Sequence, residues 1–174
     1  MEAKHAVDGT AVRVVPVANG AASPNDIRTA RAEDAPRLKH IAETAYAKYV
    51  PRMAKPPSPF FYDYGKIIAA GNTYVLERKG EVVAMVTLST QPDHLLLQNL
   101  AVLPDRQRCG IGRQFLAFAE NEARNRRLPE IRLWTNEKMT ENVPYYTALG
   151  YEVTHTATVD GYSRIFMRKA VAGF

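Results

Sequence analysis

The sequence predicts an α+β fold, a mixed and mostly antiparallel sheet of about seven strands flanked by about four helices. Apolar strand-like runs follow one another in groups and are mixed with helical segments, which points to antiparallel pairing with helices on the faces. Lys79-Gly80 and Asp160-Gly161 sit between neighbouring runs as turn signals. Longer segments carry apolar residues at the spacing of amphipathic helices. With 174 residues, 46% hydrophobic and 24% charged, the chain has the length and composition of one globular domain.

Residues 1–25 read as a flexible extension ahead of a domain at residues 26–174. Glu2 and Asp8 near the start, and Arg13 and Pro16 inside "AVRVVPVA", argue against a secretory signal. A short strand is expected at Val12–Val17. The domain opens with a strand at Ile27–Arg31. A helix then carries Ala35, Leu38, Ile41, Ala42, Ala45 and Tyr49 on one stripe, with Glu33, Asp34 and Pro36 suiting its first turn. "PRMAKPPSP" breaks it, and "FFYDYGKIIAAG" gives a shorter helix ending at Gly71.

"NTYVLERKG" and "EVVAMVTLST" form a hairpin pair, and "HLLLQNLAV" follows after Pro92-Asp93. A long helix spans Ile111–Arg127, with Phe115, Leu116, Phe118, Ala119 and Ala123 facing inward. "EIRLWT" is a strand and "ENVPYYTALG" a short helix closed by Gly150. "YEVTHTATV" and "YSRIFMRKA" make the last hairpin.

The net charge of +5 admits an anionic partner. No helix-turn-helix pattern or aromatic RNA-binding signature accompanies it, so nucleic acid is not expected. No apolar run approaches the ~18–20 residues of a membrane span. The single cysteine, Cys109, rules out an internal disulfide framework and suits a reducing cytoplasm.

The chemistry concentrates in "LAVLPDRQRCGIGRQF". A strand runs into a turn and then a helix, whose first N–H groups and dipole favour an anion. Gly110 and Gly112 let the backbone approach a ligand, and Arg106, Arg108 and Arg113 add attraction, so a pyrophosphate suits the turn. The Gly-Lys-Ser/Thr ending of a P-loop is missing. Phe115 stands where a dinucleotide fingerprint needs its third glycine, and the preceding strand is fourth among the strands.

What remains, Gln107-x-x-Gly110-x-Gly112 after "LAVLP" with "YYTALGY" downstream, resembles the acyl-CoA motif of the GNAT N-acetyltransferase superfamily. The resemblance runs from about Ile27 to Lys169. It implies acetyl-CoA as co-substrate, no metal, and an acceptor amine that attacks the thioester directly. Gln107 would open the cradle, and the backbone of Arg108, Cys109, Gly110, Ile111, Gly112 and Arg113 would hold the pyrophosphate. The pantetheine arm would pair with Leu100, Ala101 and Val102, in a gap between that strand and "EIRLWT". Cys109 reads as a backbone donor, because no base lies near it in sequence.

By the same resemblance, Tyr146 would protonate the departing thiolate and the N–H of Val102 would donate to the developing oxyanion. Two positions depart from the family. Where many relatives carry a glutamate on the fourth strand, this chain has Gln98 and Asn99, and neither amide can take a proton. The base is therefore a water chain held by Asn99 or a residue of another segment. Met139 stands where an asparagine often holds the pantetheine arm; Asn142 either takes that role or caps the short helix before Pro144.

Tyr46, Tyr49, Phe60, Phe61, Tyr62 and Tyr64 would line the acceptor cleft or fill the core of two small helices. The acceptor is an unidentified amine. The alternative to an enzyme is a non-catalytic acyl-CoA-binding sensor or regulatory subunit. Homodimers are frequent in the family, and no residue here argues for or against one.

Overall fold

The computed structural model describes residues 27–171. The extension at 1–25 and the strand expected at Val12–Val17 lie outside the described residues. The order is β1 (Ile27–Thr29), α1 (Ala35–Tyr46), α2 (Tyr64–Ala69), β2 (Thr73–Arg78), β3 (Glu81–Thr90), β4 (Leu95–Val102), α3 (Ile111–Asn125), β5 (Glu130–Asn136), α4 (Asn142–Ala148), β6 (Glu152–Val159) and β7 (Tyr162–Ala170). The strands form one seven-stranded sheet in the order β1-β2-β3-β4-β5-β7-β6. Every neighbouring pair is antiparallel except β4 and β5, which are parallel. The α+β class read from the sequence is the class observed.

Several boundaries differ from the sequence reading for local reasons. β1 stops at Thr29 because the Arg31 N–H is taken by Asp34 Oδ2 at 2.7 Å. Past Tyr46 the α-helix tightens into a 3-10 helix, Ala47–Arg52, and Pro51 has no N–H to continue the i→i−4 ladder. Tyr49 is still buried there. α2 begins only at Tyr64, where the Asp63 carboxylate accepts from the Lys66 N–H at 3.1 Å. Phe60 and Phe61 belong to a separate 3-10 turn at Ser58–Phe61, and Phe61 is exposed. α3 ends at Asn125 because Arg127 turns left-handed, φ 55°, and the Leu128 N–H returns to the Ala123 carbonyl at 2.9 Å.

Helices cover both faces of the sheet. α1 buries Leu38, Ile41 and Ala42 against β3 and β4. α3 buries Phe115, Leu116, Ala119 and Ala123 on the opposite face, where half-buried Phe118 meets Tyr74 edge-on at 4.8 Å. Arg28 clasps buried Asp34 through two bonds of 2.8 and 3.1 Å and reaches Glu77 at 3.0 Å, tying β1 to β2 and to the start of α1.

Two irregularities of β4 shape the centre of the molecule. Leu97 lies opposite Leu88 and Asn99 opposite Thr87, so Gln98 is an extra, bulged residue. The bulge turns Leu95 and Leu97 to the α3 face but Asn99 and Ala101 to the α1 face. In addition, β4 pairs with β5 only from Leu95–Leu97 to Ile131–Leu133. Beyond those residues the two strands part.

Candidate active site

The parting of β4 and β5 opens a cavity of about 420 Å³ that draws residues from both faces of the sheet. One wall is the free half of β4. The Leu103 N–H bonds the Val83 carbonyl at 3.0 Å. By the alternation of an antiparallel ladder, Val102 and Leu100 then turn their backbone groups away from β3 and into the gap. Both of their carbonyls are occupied: Gln107 Nε2 donates to Val102 O at 3.0 Å, and the Tyr46 hydroxyl reaches Leu100 O at 3.2 Å. The two N–H groups are the donors that wall leaves open.

At the end of that wall the chain enters α3. Gly110 is left-handed, φ +82°, with nothing within 4 Å of where a Cβ would be, so conformation and not crowding calls for glycine. Gly112 is the reverse case, for a Cβ there would stand 2.6 Å from the Tyr145 hydroxyl. Gln107, Arg108 and Gly112 line the cavity with Leu100, Ala101 and Val102, while Cys109, Gly110, Ile111 and Arg113 form the turn and first helical residues beside it. The Cys109 thiol is exposed, 3.5 Å from the Gln107 carbonyl.

Tyr146 comes from α4 and is buried, ring against ring with Tyr145 and Tyr151 at 5.3 and 5.7 Å. Burial, with Tyr145 and Tyr49 nearby, holds its phenol far above the usual 10, so it stays protonated at neutral pH. Tyr146 is among the lining residues of the cavity, and its hydroxyl makes no hydrogen bond among the described residues. Across the gap, burial also raises Tyr46, with Tyr146 the next cause. Tyr46 donates to Asn99 Oδ1 at 2.8 Å. Asn99 Nδ2 is buried and turned toward the Tyr64 phenol, with no hydrogen bond of normal geometry among the described residues. Burial raises the Tyr64 phenol too, followed by Tyr62, and Asn99 partly offsets them.

Asn142 is the first residue of α4, not its cap, and Glu141 precedes it in the capping position. Its Nδ2 donates to Thr135 Oγ1 at 2.9 Å, and the residue lines the cavity. Of the aromatic residues expected around the acceptor, Tyr46, Tyr49 and Tyr62 line the cavity, while Phe60, Phe61 and Tyr64 do not. Glu141 is the only carboxylate among the described lining residues, and Arg52 holds it with bonds of 2.9 and 3.0 Å.

Sequence reasoning missed the bulge, the Tyr46–Asn99 bond, and the cavity positions of Trp134, Tyr162 and Arg164. The bulge had a signal: the polar pair Gln98-Asn99 interrupts an apolar strand. No described cluster of His, Cys, Asp and Glu could hold a metal.

A slit between parted strands, with open amides on one wall and a glycine-bearing helix start at its end, suits an extended ligand with an anionic group. The model of the acetyltransferase (GNAT) family matches residues 35–151, and the chain belongs to that family. A curated relative, the aminoalkylphosphonate N-acetyltransferase of Salmonella typhimurium, is 39% identical over 85 residues, covering 45% of this chain and 54% of the relative. The match thus spans about half the relative's length. Among solved structures, the PaiA N-acetyltransferase of Thermoplasma acidophilum in complex with coenzyme A superposes with a TM-score of 0.72, at 18% identity, over 84% of this chain and 98% of that one. The ribosomal-protein-S18-alanine N-acetyltransferase of Escherichia coli gives 0.65 at 24% identity, over 86% and 96%. These two share the fold.

Proposed function

We propose that the chain acetylates a primary amine by direct attack, with the reacting atoms meeting where β4 and β5 part. The observation that carries this reading is that Tyr146, its hydroxyl unbonded among the described residues, lines the same cavity as the free half of β4. Acetyl-CoA, when bound, supplies an activated thioester carbonyl. The turn from Arg108 to Arg113 would hold its pyrophosphate, and the N–H groups of Leu100 and Val102 would hold the arm and the carbonyl oxygen. Asn142 would offer its side-chain oxygen to the arm. Tyr146, kept neutral by burial, is the acid for the departing sulfur.

The proton of the incoming ammonium needs another route. That route would be a water held beside Asn99, which lines the cavity, or a residue of another segment. The acceptor class begins from the relative's printed substrate, an aminoalkylphosphonate, which is an amine carrying an anion. The absence of a carboxylate from the β4 wall favours a second reading, acyl-CoA binding without turnover.

Free-thiol release from acetyl-CoA, measured across a panel of amines, separates the two. Release with at least one amine supports catalysis, and binding of CoA in calorimetry with no release for any amine supports the sensor. Among the described residues no helix is long and apolar enough to cross a membrane. A cytoplasmic setting suits the exposed lone thiol of Cys109. A homodimer would cover β6, an edge strand exposed along nearly all its length. Light scattering tests that pairing.

A further inference from the structure

On the α1 face of the gap, β7 presents Arg164. Its side chain is only 15% exposed, yet no hydrogen bond to it occurs among the described residues. Its single ion pair, with Asp160 at 4.0 Å, is long, and Asp160 is 82% exposed. The guanidinium lies over the Trp134 ring, 5.0 Å from the centroid, and both residues line the cavity. An arginine so enclosed has lost most of its water while its N–H donors remain unmatched, an arrangement that an oxyanion completes.

The surrounding charges agree. Lys48 also lines the cavity, and the lining carboxylate, Glu141, is already neutralised by Arg52. The phosphate-favouring groups of the α3 turn, Arg106 and Arg108, lie in another part of the sequence, after β4, and Arg164 falls outside the residues the family model matches. The cation–π contact with Trp134 restrains the guanidinium, so less freedom is lost when it meets an anion.

We infer that Arg164, held on Trp134, is the specificity residue of the acceptor subsite, and that the acceptor is a short amine bearing a carboxylate or phosphonate. This rests on the transfer reading of the same cavity. Lys48 adds attraction at longer range, and Tyr162 also lines the pocket.

The test uses the full chain, Arg164→Gln and Arg164→Lys, with 2-aminoethylphosphonate, β-alanine and n-butylamine as probes. The parent is expected to prefer both anionic amines over butylamine in kcat/KM. Arg164→Gln lowers that preference about 10- to 100-fold, chiefly through KM, as loss of a charged hydrogen-bonding partner implies; Arg164→Lys recovers part of it. Calorimetric CoA affinity like the parent's shows that the variant is folded. The ratio of the two anionic amines tells carboxylate from phosphonate.

Because Trp134 is the only tryptophan, its fluorescence reports anion binding without turnover. Titration of 2-aminoethylphosphonate or β-alanine into the CoA complex should give a saturable change that Arg164→Gln abolishes. If thiol release fails for every amine but this titration saturates, the transfer reading falls and the anion site stands. A parent that prefers butylamine overturns the inference, as does a titration that survives Arg164→Gln or a preference that variant leaves unchanged.

Discussion

The Tyr46 hydroxyl donates to Asn99 Oδ1 at 2.8 Å, joining the last residue of α1 to the residue after the β4 bulge. Tyr46→Phe deletes the bond and leaves a buried carbonyl oxygen without that donor. The expected loss is about 1–2 kcal/mol of stability. A urea midpoint equal to the parent's would show that the bond contributes nothing.

Tyr146→Phe keeps the ring packing on Tyr145 and Tyr151 and removes the proposed acid. A thiol leaves readily even without an acid, so the expected fall in kcat is toward the low end of acid catalysis, about 10²-fold. CoA affinity stays near the parent's. Full turnover in the variant would assign the proton to another group.

Gly112→Ala forces the Tyr145 hydroxyl to move, since the new methyl would stand 2.6 Å from it. Tyr145 is 40% exposed and can swing, so the substitution costs less than about 1 kcal/mol while shifting the cavity wall. Weaker CoA binding in calorimetry is the outcome to look for. In a Tyr145→Phe background the nearest remaining ring atom is 3.6 Å away, and the same Gly112→Ala change should have little further effect. Simple additivity of the two would mean that the contact is unimportant.

The described cavity wall contains no histidine, and its carboxylate is paired with Arg52. The acceptor's own ammonium is therefore the group that must titrate. kcat/KM should rise with pH along a limb that follows the pKa of each amine tested, with no descending limb from Tyr146 below about pH 10. A fixed limb that stays put when the amine is changed would reveal a base on the protein.

Arg28, by hydrogen bonding first of all, holds the Asp34 carboxyl below its ordinary 3.8. The folded value lies under the unfolded one, so this group adds stability above the unfolded value, and that stability disappears as acid takes the pH down through the folded value. Asp34→Asn should cost about 1–3 kcal/mol near neutrality and flatten the acid side of the stability profile. Denaturant midpoints at about pH 7 and pH 3 check both parts.

The strand and helix order was legible because turn signals such as Asp160-Gly161 and the apolar stripe from Ala35 to Ala45 are local features. The glycine turn before Ile111 was legible for the same reason. Element ends were less so: β1 is cut short by the Asp34 carboxylate, and α3 is closed by Arg127 in a conformation usually left to glycine. The meeting of Arg164 and Trp134 depends on the pairing of β5 with β7, which no short stretch of sequence records. In sequence Tyr46 is one aromatic among several; the bulge, a tertiary feature, turns Asn99 toward it.

Because only three residue pairs join β4 to β5, the cavity where they part takes its lining from both faces of the sheet. Under the proposed reading, donor and acceptor then have separate doorways, and neither has to leave before the other arrives. Initial-rate patterns should intersect, as a ternary complex requires, and radiolabelled acetyl groups should never remain on the protein after gel filtration.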